Sequence, residues 1–464
     1  MPTVPASRPL DPGLMRLASV LMVGGFASLL NTTIVGVSLD AVADDFGARA
    51  ARMHWVASGY LLALAAVVPT MAWLVHRLGV RAVWRAGLAL FVVSSVLCGT
   101  AWSVPSLVVF RVAQGLGGGL ILPALQTILA TAAGPDRLGR IMALVAVPGQ
   151  LAPLLGPVLG GLLVDGPGWR WVFWVSVPIG VAGLVLSWNR IPDAGSSPSA
   201  PVPLDVRGLL LLSPGLALLL YGGSGLADPA GHGIVAAWVA AVVGGCLLIA
   251  YPVHAARRRN PLVNLDLFRD RGFAAASTLM ALAGASIFGP MVLLPLFLQQ
   301  VRGASGLETG LALAPLAVGT MVALPVAGRL TDRMGPRPLL LTGTVVAAVG
   351  TVPFAVTPEA GPGLLVVALL VRGLGLGLAT VPVTAAAYRR LPPGLIPHGT
   401  TALSVVQRVG GAFGTTALLT VAQHDVANGA SAAGAYGTAF ALTVALSVLA
   451  LLPAALVPPR RTDD

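Results

Sequence analysis

Three arginines stand inside stretches otherwise suited to an apolar environment: Arg111 in RVAQGLGGG, Arg372 in RGLGLG, and Arg408 in QRVGG. A guanidinium keeps its charge at any accessible pH. Within a bilayer it is costly unless it faces a polar cavity or a partner. Amide and hydroxyl side chains recur in the same kind of apolar stretch: Asn31, Thr32, Thr33, Tyr60, Gln114, Gln126, Gln150 and Gln407. Such groups can hydrogen-bond a small molecule in a mostly apolar cavity. The patterns that would carry covalent or metal chemistry are missing: there is no HExxH, GxSxG or CxxC, and no paired carboxylates in mid-span. Asp40 and Asp165 fall at the ends of apolar stretches, as do Asp205 and Asp266, and Glu308 and Glu359 lie between stretches. The residues predict binding and passage without an enzyme's active site, and no metal or cofactor.

The elements that must position these groups are membrane helices. Of 464 residues, 56% are hydrophobic and 10% charged, far below the charge of a soluble domain, and the mean hydropathy is +0.87. A crossing needs about 20 apolar residues. Fourteen stretches qualify: 15–39, 55–75, 83–101, 105–130, 141–164, 171–188, 208–224, 234–253, 274–297, 310–328, 339–356, 363–387, 400–421 and 436–457. The seventh is expected to stop early at GGSG, 222–225. All 28 basic residues are Arg. With both termini in the cytoplasm, twenty-one arginines fall on the inner side, four on the outer side and three within spans, which orients the chain by the positive-inside rule. The net charge of +11 sits in short loops and does not form a nucleic-acid surface. Cys98 and Cys246 each lie in an apolar span, as small core residues do. No signal-peptide cleavage site follows the short basic start, so the first span is expected to be retained.

Two loops repeat. AWLVHRLGVR (72–81) and GRLTDRMGPR (328–337) share a skeleton in which Arg77 matches Arg333, Gly79 matches Gly335 and Arg81 matches Arg337. Each follows the second helix of a six-helix set once spans seven and eight are set aside, and Arg111 and Arg372 then fall in the fourth helix of each set. In PGQLAPLLGPVLGGLL (148–163), Gly149, Pro153, Gly156 and Gly160 recur at steps of four, three and four, on one helix face. Small residues on one face admit a close neighbour, and Pro153 and Pro157 each remove a backbone donor.

These motifs resemble those of the major facilitator superfamily: the two loops its loop motif, RVAQGLGGG its fourth-helix motif, and 148–163 its fifth-helix antiporter motif, including Gly161. LLNTTIVGVSL (29–39), WVASGYLLALA (55–65), WRWVFWVSVPIG (169–180), NPLVNLDLF (260–268) and LPLFLQQVRGASGLETGLALAP (294–315) narrow the resemblance to the fourteen-span drug:proton antiporter branch. The resemblance implies an all-α membrane protein with two six-helix bundles, 1–190 and 261–464, joined by a cytoplasmic linker and two extra helices, 191–260. It implies a multi-pass bacterial inner-membrane exporter of hydrophobic small molecules, such as drugs or antibiotics, working by alternating access in exchange for protons and without an obligate protein partner. The expected gating and coupling residues are Asn31, Asp40, His76, Arg77, Arg81, Arg111, Arg329, Asp332, Arg333 and Arg337. The antiporter motif is expected to seal the two halves against leak.

Three positions depart from the family pattern. His76 stands where the first loop usually carries Asp, so a latch would shift to Asp332. The order Gln407-Arg408 replaces the usual Arg-Gln. Asn31 stands where relatives carry the Asp that is a candidate for proton coupling, and Asn does not titrate. Asp40, about 13 Å further along the helix, is the nearest substitute. The alternative expectation is a facilitator or exchanger not coupled to protons.

Overall fold

A computed structural model describes residues 11–48, 50–191, 203–227, 233–258, 260–389 and 391–458. Arg8, Arg49, Arg259, Arg390, Arg460 and Arg461, and most of the 191–207 linker, lie outside them. Fourteen helical segments follow in order among the described residues: α1 (Pro12–Asp45), α2 (Trp55–Leu78), α3 (Val80–Gly99), α4 (Val104–Ala133), α5 (Leu138–Asp165), α6 (Arg170–Ser187), α7 (Val206–Ala227), α8 (Ile234–Ala256), α9 (Arg271–Gln300), α10 (Gly306–Met334), α11 (Pro336–Val356), α12 (Pro362–Tyr388), α13 (Ile396–Ala427) and α14 (Ala432–Leu456). Twelve are long and apolar enough to cross a membrane. The other two, α5 and α13, are 28 and 32 residues long.

Local chemistry explains the breaks. Gly79 and Gly335 join α2 to α3 and α10 to α11 with φ of 80° and 84°, a region open chiefly to glycine, so the shared loop glycine is a backbone requirement. Ser103 with Ser106 opens α4, and Ser305 with Glu308 opens α10, each as a capping box that satisfies donors left free at a helix start. Asp270 caps α9 by accepting from the Phe273 amide at 2.8 Å.

Helices α1 to α6 pack on one another, as do α9 to α14. In the first set, Trp84 of α3 donates to Ser187 Oγ of α6 at 2.9 Å, and Thr33 of α1 donates to the Ala152 carbonyl of α5 at 2.9 Å. The two sets meet along two seams: α5 against α10, and the C-terminal ends of α2 and α4 against α13. Helices α7 and α8 form a hairpin, with α7 packed on both α2 and α13. Trp55 of α2 stacks on Tyr221 of α7 with ring centroids 5.6 Å apart, and a Cβ on Gly223 would meet Thr416 of α13 at 3.0 Å.

Two sequence expectations change. Helix α7 does not stop at GGSG but runs to Ala227. Gly222 lies against the Ala241 backbone of α8 and Gly223 against α13, so these glycines serve close crossings, and packing overrides their low helix propensity. Cys98 is buried as expected, whereas Cys246 is exposed on α8.

Two glycines of the antiporter motif pack against α1. A Cβ on Gly156 would overlap Thr33, and one on Gly160 would meet the Ile34 carbonyl at 3.0 Å, so both glycines set α5 against α1 within the first set. Gly149 and Gly161 face open space, with nothing within 4 Å of where a Cβ would stand. Helix α5 continues through Pro153 and Pro157 without interruption. Gly156→Val should therefore destabilise the purified protein by about 1–3 kcal/mol through overpacking, read as a lower midpoint of thermal unfolding. Gly161→Ala should leave that midpoint unchanged or slightly raised.

Candidate functional site

The centre of the first helix set is built around Arg111, which is 1% exposed. Its Nη1 donates to Asn31 Oδ1 of α1 at 2.5 Å and to Gln114 Oε1 at 2.7 Å. Its Nε donates to the Val56 carbonyl of α2 at 3.0 Å. The guanidinium lies 4.2 Å from the centre of the Tyr60 ring and 5.8 Å from that of Phe173 on α6. Gln114 in turn donates to Ser95 Oγ of α3 at 2.7 Å, and Ser95 to the Phe91 carbonyl at 2.7 Å. The Tyr60 hydroxyl lies 3.3 Å from Ser28 Oγ. Five helices thus contribute to holding one charge, and every oxygen in its shell is neutral.

Asn31 is fully buried, and its Nδ2 has no hydrogen-bond partner. The guanidinium offers donors only, so the amide must turn its oxygen to Arg111 and leave its NH2 group facing away. An unsatisfied buried donor costs about 1–3 kcal/mol. A carboxylate at this position would accept from Arg111 without leaving such a donor.

Arg372 occupies the corresponding place in the second set and is 1% exposed. It donates to Thr351 Oγ1 of α11 and, at 2.5 Å, to the Ser286 carbonyl of α9. Its Nε is buried without a partner. Here too the shell contains no acid. Arg408 is half-buried on α13, within electrostatic range of Tyr60.

The two sets are tied at the arginine-rich end. Asp332, at the end of α10, has a fully buried side chain. It accepts from the Gly139 amide at 2.8 Å, the Arg140 amide at 3.3 Å and Arg140 Nε at 2.8 Å. A carboxylate of one set thereby caps the first turn of α5 in the other and pairs with a cation there. Charge-assisted hydrogen bonds and the helix dipole reinforce each other at this point. Gly139 and Gly328 approach so closely that a Cβ on either would clash. On the other seam Thr127 of α4 donates to Thr400 of α13 at 3.3 Å.

Among the described residues the Asp332 tie has no second copy. Pro135–Arg137 leads into α5 and Pro393–Leu395 leads into α13, each as a 3-10 turn, so Gly139 matches Pro397 and Arg140 matches His398. His76, the mate of Asp332, lines a cavity of about 390 Å³ with Thr127, Thr131, Pro397 and His398. An imidazole replaces the carboxylate, Pro397 has no N–H to donate, and His398 replaces the arginine.

The remaining sequence candidates sit apart from these ties. Arg81 donates to the Ile191 carbonyl at 2.8 Å, within its own set. Arg77 lies 6.0 Å from the Trp73 ring. Arg329 and Arg333 are exposed and Arg337 half-buried. Asp40 is exposed near the end of α1, away from the Arg111 shell. Thr32 is exposed, and Gln126, Gln150 and Gln407 are half-buried. Arg140, His398, Ser95, Thr351 and Ser286 were not singled out in the sequence. The repeat offset that aligns His76 with Asp332 was the available signal for Arg140 and His398.

The fold and this paired architecture are those of a membrane transporter. The chain matches the family model described as Major Facilitator Superfamily over residues 21–415, and it belongs to that superfamily. It is 39% identical over 438 residues to the Multidrug resistance protein B homolog of Mycobacterium tuberculosis, covering 91% of this chain and 80% of that relative. It is 32% identical over 408 residues to the Multidrug export protein EmrB of Haemophilus influenzae, covering 87% and 79%. Two solved structures share the fold alone: the human organic anion transporter MFSD10, with a TM-score of 0.68, 16% identity and coverage of 96% and 100%, and the proton:xylose symporter XylE, with 0.69, 15% and 96% of each chain.

Asp332→Asn should weaken the tie by about 2 kcal/mol, or roughly 30-fold in the ratio of broken to formed ties. A cysteine placed at Thr127, with Cys98 and Cys246 replaced by Ala, reports it: an impermeant maleimide added at the arginine-rich side should label it several-fold faster in the variant. Equal labelling would mean that Asp332 does not hold this end shut.

Proposed function

We propose that this transporter exports hydrophobic small molecules, including drugs or antibiotics, from a bacterial cell by alternating access between its two helix sets. On this reading α1–α6 and α9–α14 are the moving bundles, spanning roughly 1–190 and 261–464. All fourteen helices cross the inner membrane, with both termini and the arginine-rich loops in the cytoplasm. The Asp332–Gly139–Arg140 tie then closes the cytoplasmic end, and its rupture is the step that opens the site inward. The observation that carries the reading is this tie between the sets, in a chain whose relatives bear multidrug-export names. The buried Arg111 shell keeps α1, α2, α3, α4 and α6 moving as one body. The Gly156 and Gly160 face holds α5 to that body, so α5 carries the seam without being the seal itself.

Proton exchange is the expected energy source, with Asp40 as the remaining acid nearest Asn31. A second reading, an uncoupled facilitator or exchanger, is favoured by one observation: Asn31 fills the Arg111 shell with a group that does not titrate.

Efflux of a dye and antibiotic panel from efflux-deficient cells, with and without a protonophore, tests both. Lower accumulation that the protonophore abolishes supports proton-driven export. Lower accumulation that survives it supports the second reading, and unchanged accumulation across the panel removes the export function. Arg111→Ala should abolish export, a loss of at least tenfold, in protein that still reaches the membrane; undiminished efflux takes Arg111 out of the mechanism. Asn31→Asp should steepen the pH dependence of efflux, and an unchanged profile would show that this position does not couple protons.

A further inference from the structure

We infer that Arg408 is the charged contact for substrate and that the substrate class is the amphipathic organic anion, a carboxylate or sulfonate on an apolar body. The inference rests on the export reading above and narrows it.

The three deep arginines differ in how their charge is met. Arg111 donates to Asn31, Gln114 and the Val56 carbonyl, and Arg372 to Thr351 and the Ser286 carbonyl. Arg408 makes no hydrogen bond or ion pair among the described residues. Its side chain cannot reach either end of its helix: it is the thirteenth of 32 residues, roughly 18 Å from one end and 29 Å from the other at 1.5 Å per residue. Deprotonation offers no relief either.

Its position on α13 points it inward. Gly410, Gly411 and Gly414 place one face of α13 against Ala281, Ala285 and Phe288 of α9. Thr416 marks the face toward Gly223 of α7, and Phe413, 47% exposed, marks the outer side. At 100° per residue, Arg408 falls between the α9 and α7 faces and away from Phe413. The N-terminal set lies across from it: Tyr60 is within electrostatic range of both Arg408 and Arg111.

The sign of the surroundings selects the ligand. No Asp or Glu lies near the middle of any span, so Arg408 has no internal counter-ion and Arg111 adds positive potential across Tyr60. An oxyanion would supply the missing acceptors in a bidentate geometry suited to guanidinium, and the apolar walls would take the rest of the molecule. A cationic compound would meet repulsion at the same point.

The test compares two dyes in cells expressing the full chain: the anion fluorescein, released inside from its diacetate, and the neutral Nile red. Wild type should export both. Arg408→Gln should lose fluorescein efflux at least tenfold while keeping Nile red efflux, and Arg408→Lys should restore part of the fluorescein efflux. Nile red efflux by wild type without fluorescein efflux, or fluorescein efflux unchanged in Arg408→Gln, would overturn the anion site and leave the export reading standing. If neither dye is exported, the export reading fails on this panel. Purified protein then decides the anion site: fluorescein should raise the thermal midpoint of wild type and not that of Arg408→Gln. Equal shifts in the two proteins, or no shift in wild type, would overturn it. If Arg408→Gln loses Nile red efflux too, the same binding measurement separates a lost contact from a misfolded variant.

Discussion

A guanidinium fixed deep in a helical bundle must be supplied with acceptors, because it cannot shed its proton. Around Arg111 those acceptors come from α1, α2 and α4, with a relay to α3 and an aromatic wall from α2 and α6. Each helix that supplies a group is thereby held in register with the others. Removing one acceptor leaves a buried charge short of partners, which costs more than a single hydrogen bond contributes. The coherence of the first bundle follows from that constraint. The shell around Arg372 repeats the position with fewer groups and with an unpartnered Nε. The two sets place the charge alike and meet it differently.

The same partial symmetry governs the contact between bundles. On the α5–α10 seam a carboxylate, two backbone amides and a guanidinium meet in a buried cluster. On the seam of α2 and α4 with α13 the matched positions hold His76, Pro397 and His398 around a cavity, and Thr127 of α4 makes a neutral hydroxyl contact with Thr400. The hairpin of α7 and α8 lies against this second seam, with α7 touching α2 on one side and α13 on the other. The weaker seam is thus the one covered by the inserted helices. Rocking about a fixed centre requires both seams to part, and unequal ties make the charged seam the natural control point in the proposed cycle.

Charge complementarity links these features to the choice of cargo. The membrane interior of this chain carries cations and no acids. Two of the three donate to neutral oxygens, Arg111 through three hydrogen bonds and Arg372 through two with its Nε left unpartnered, which compensates them in part without cancelling their field. The third faces the space between the bundles. On the proposed anion reading, the deep positive charge and the neutral amide at Asn31 act in the same sense: neither offers a cation a counter-charge.

By itself the sequence determined the membrane class, the family and the approximate extent of the fourteen helical stretches. Those features are local: hydropathy over a span, arginines near helix ends and motifs of a few residues. Tertiary structure decided what each residue meets. That Asn31 accepts from Arg111, that Asp332 closes on Gly139 and Arg140 at a separation of 192 residues or more, and that Gly156 serves α1 within its own bundle all depend on which helix face lies against which. Periodicity shows that a face exists but carries no label for its partner, since small residues pack equally well on any close helix. GGSG reads as a break because glycine propensity is a property of the isolated segment, and α7 runs through it because α8 and α13 take up the space a side chain would have filled.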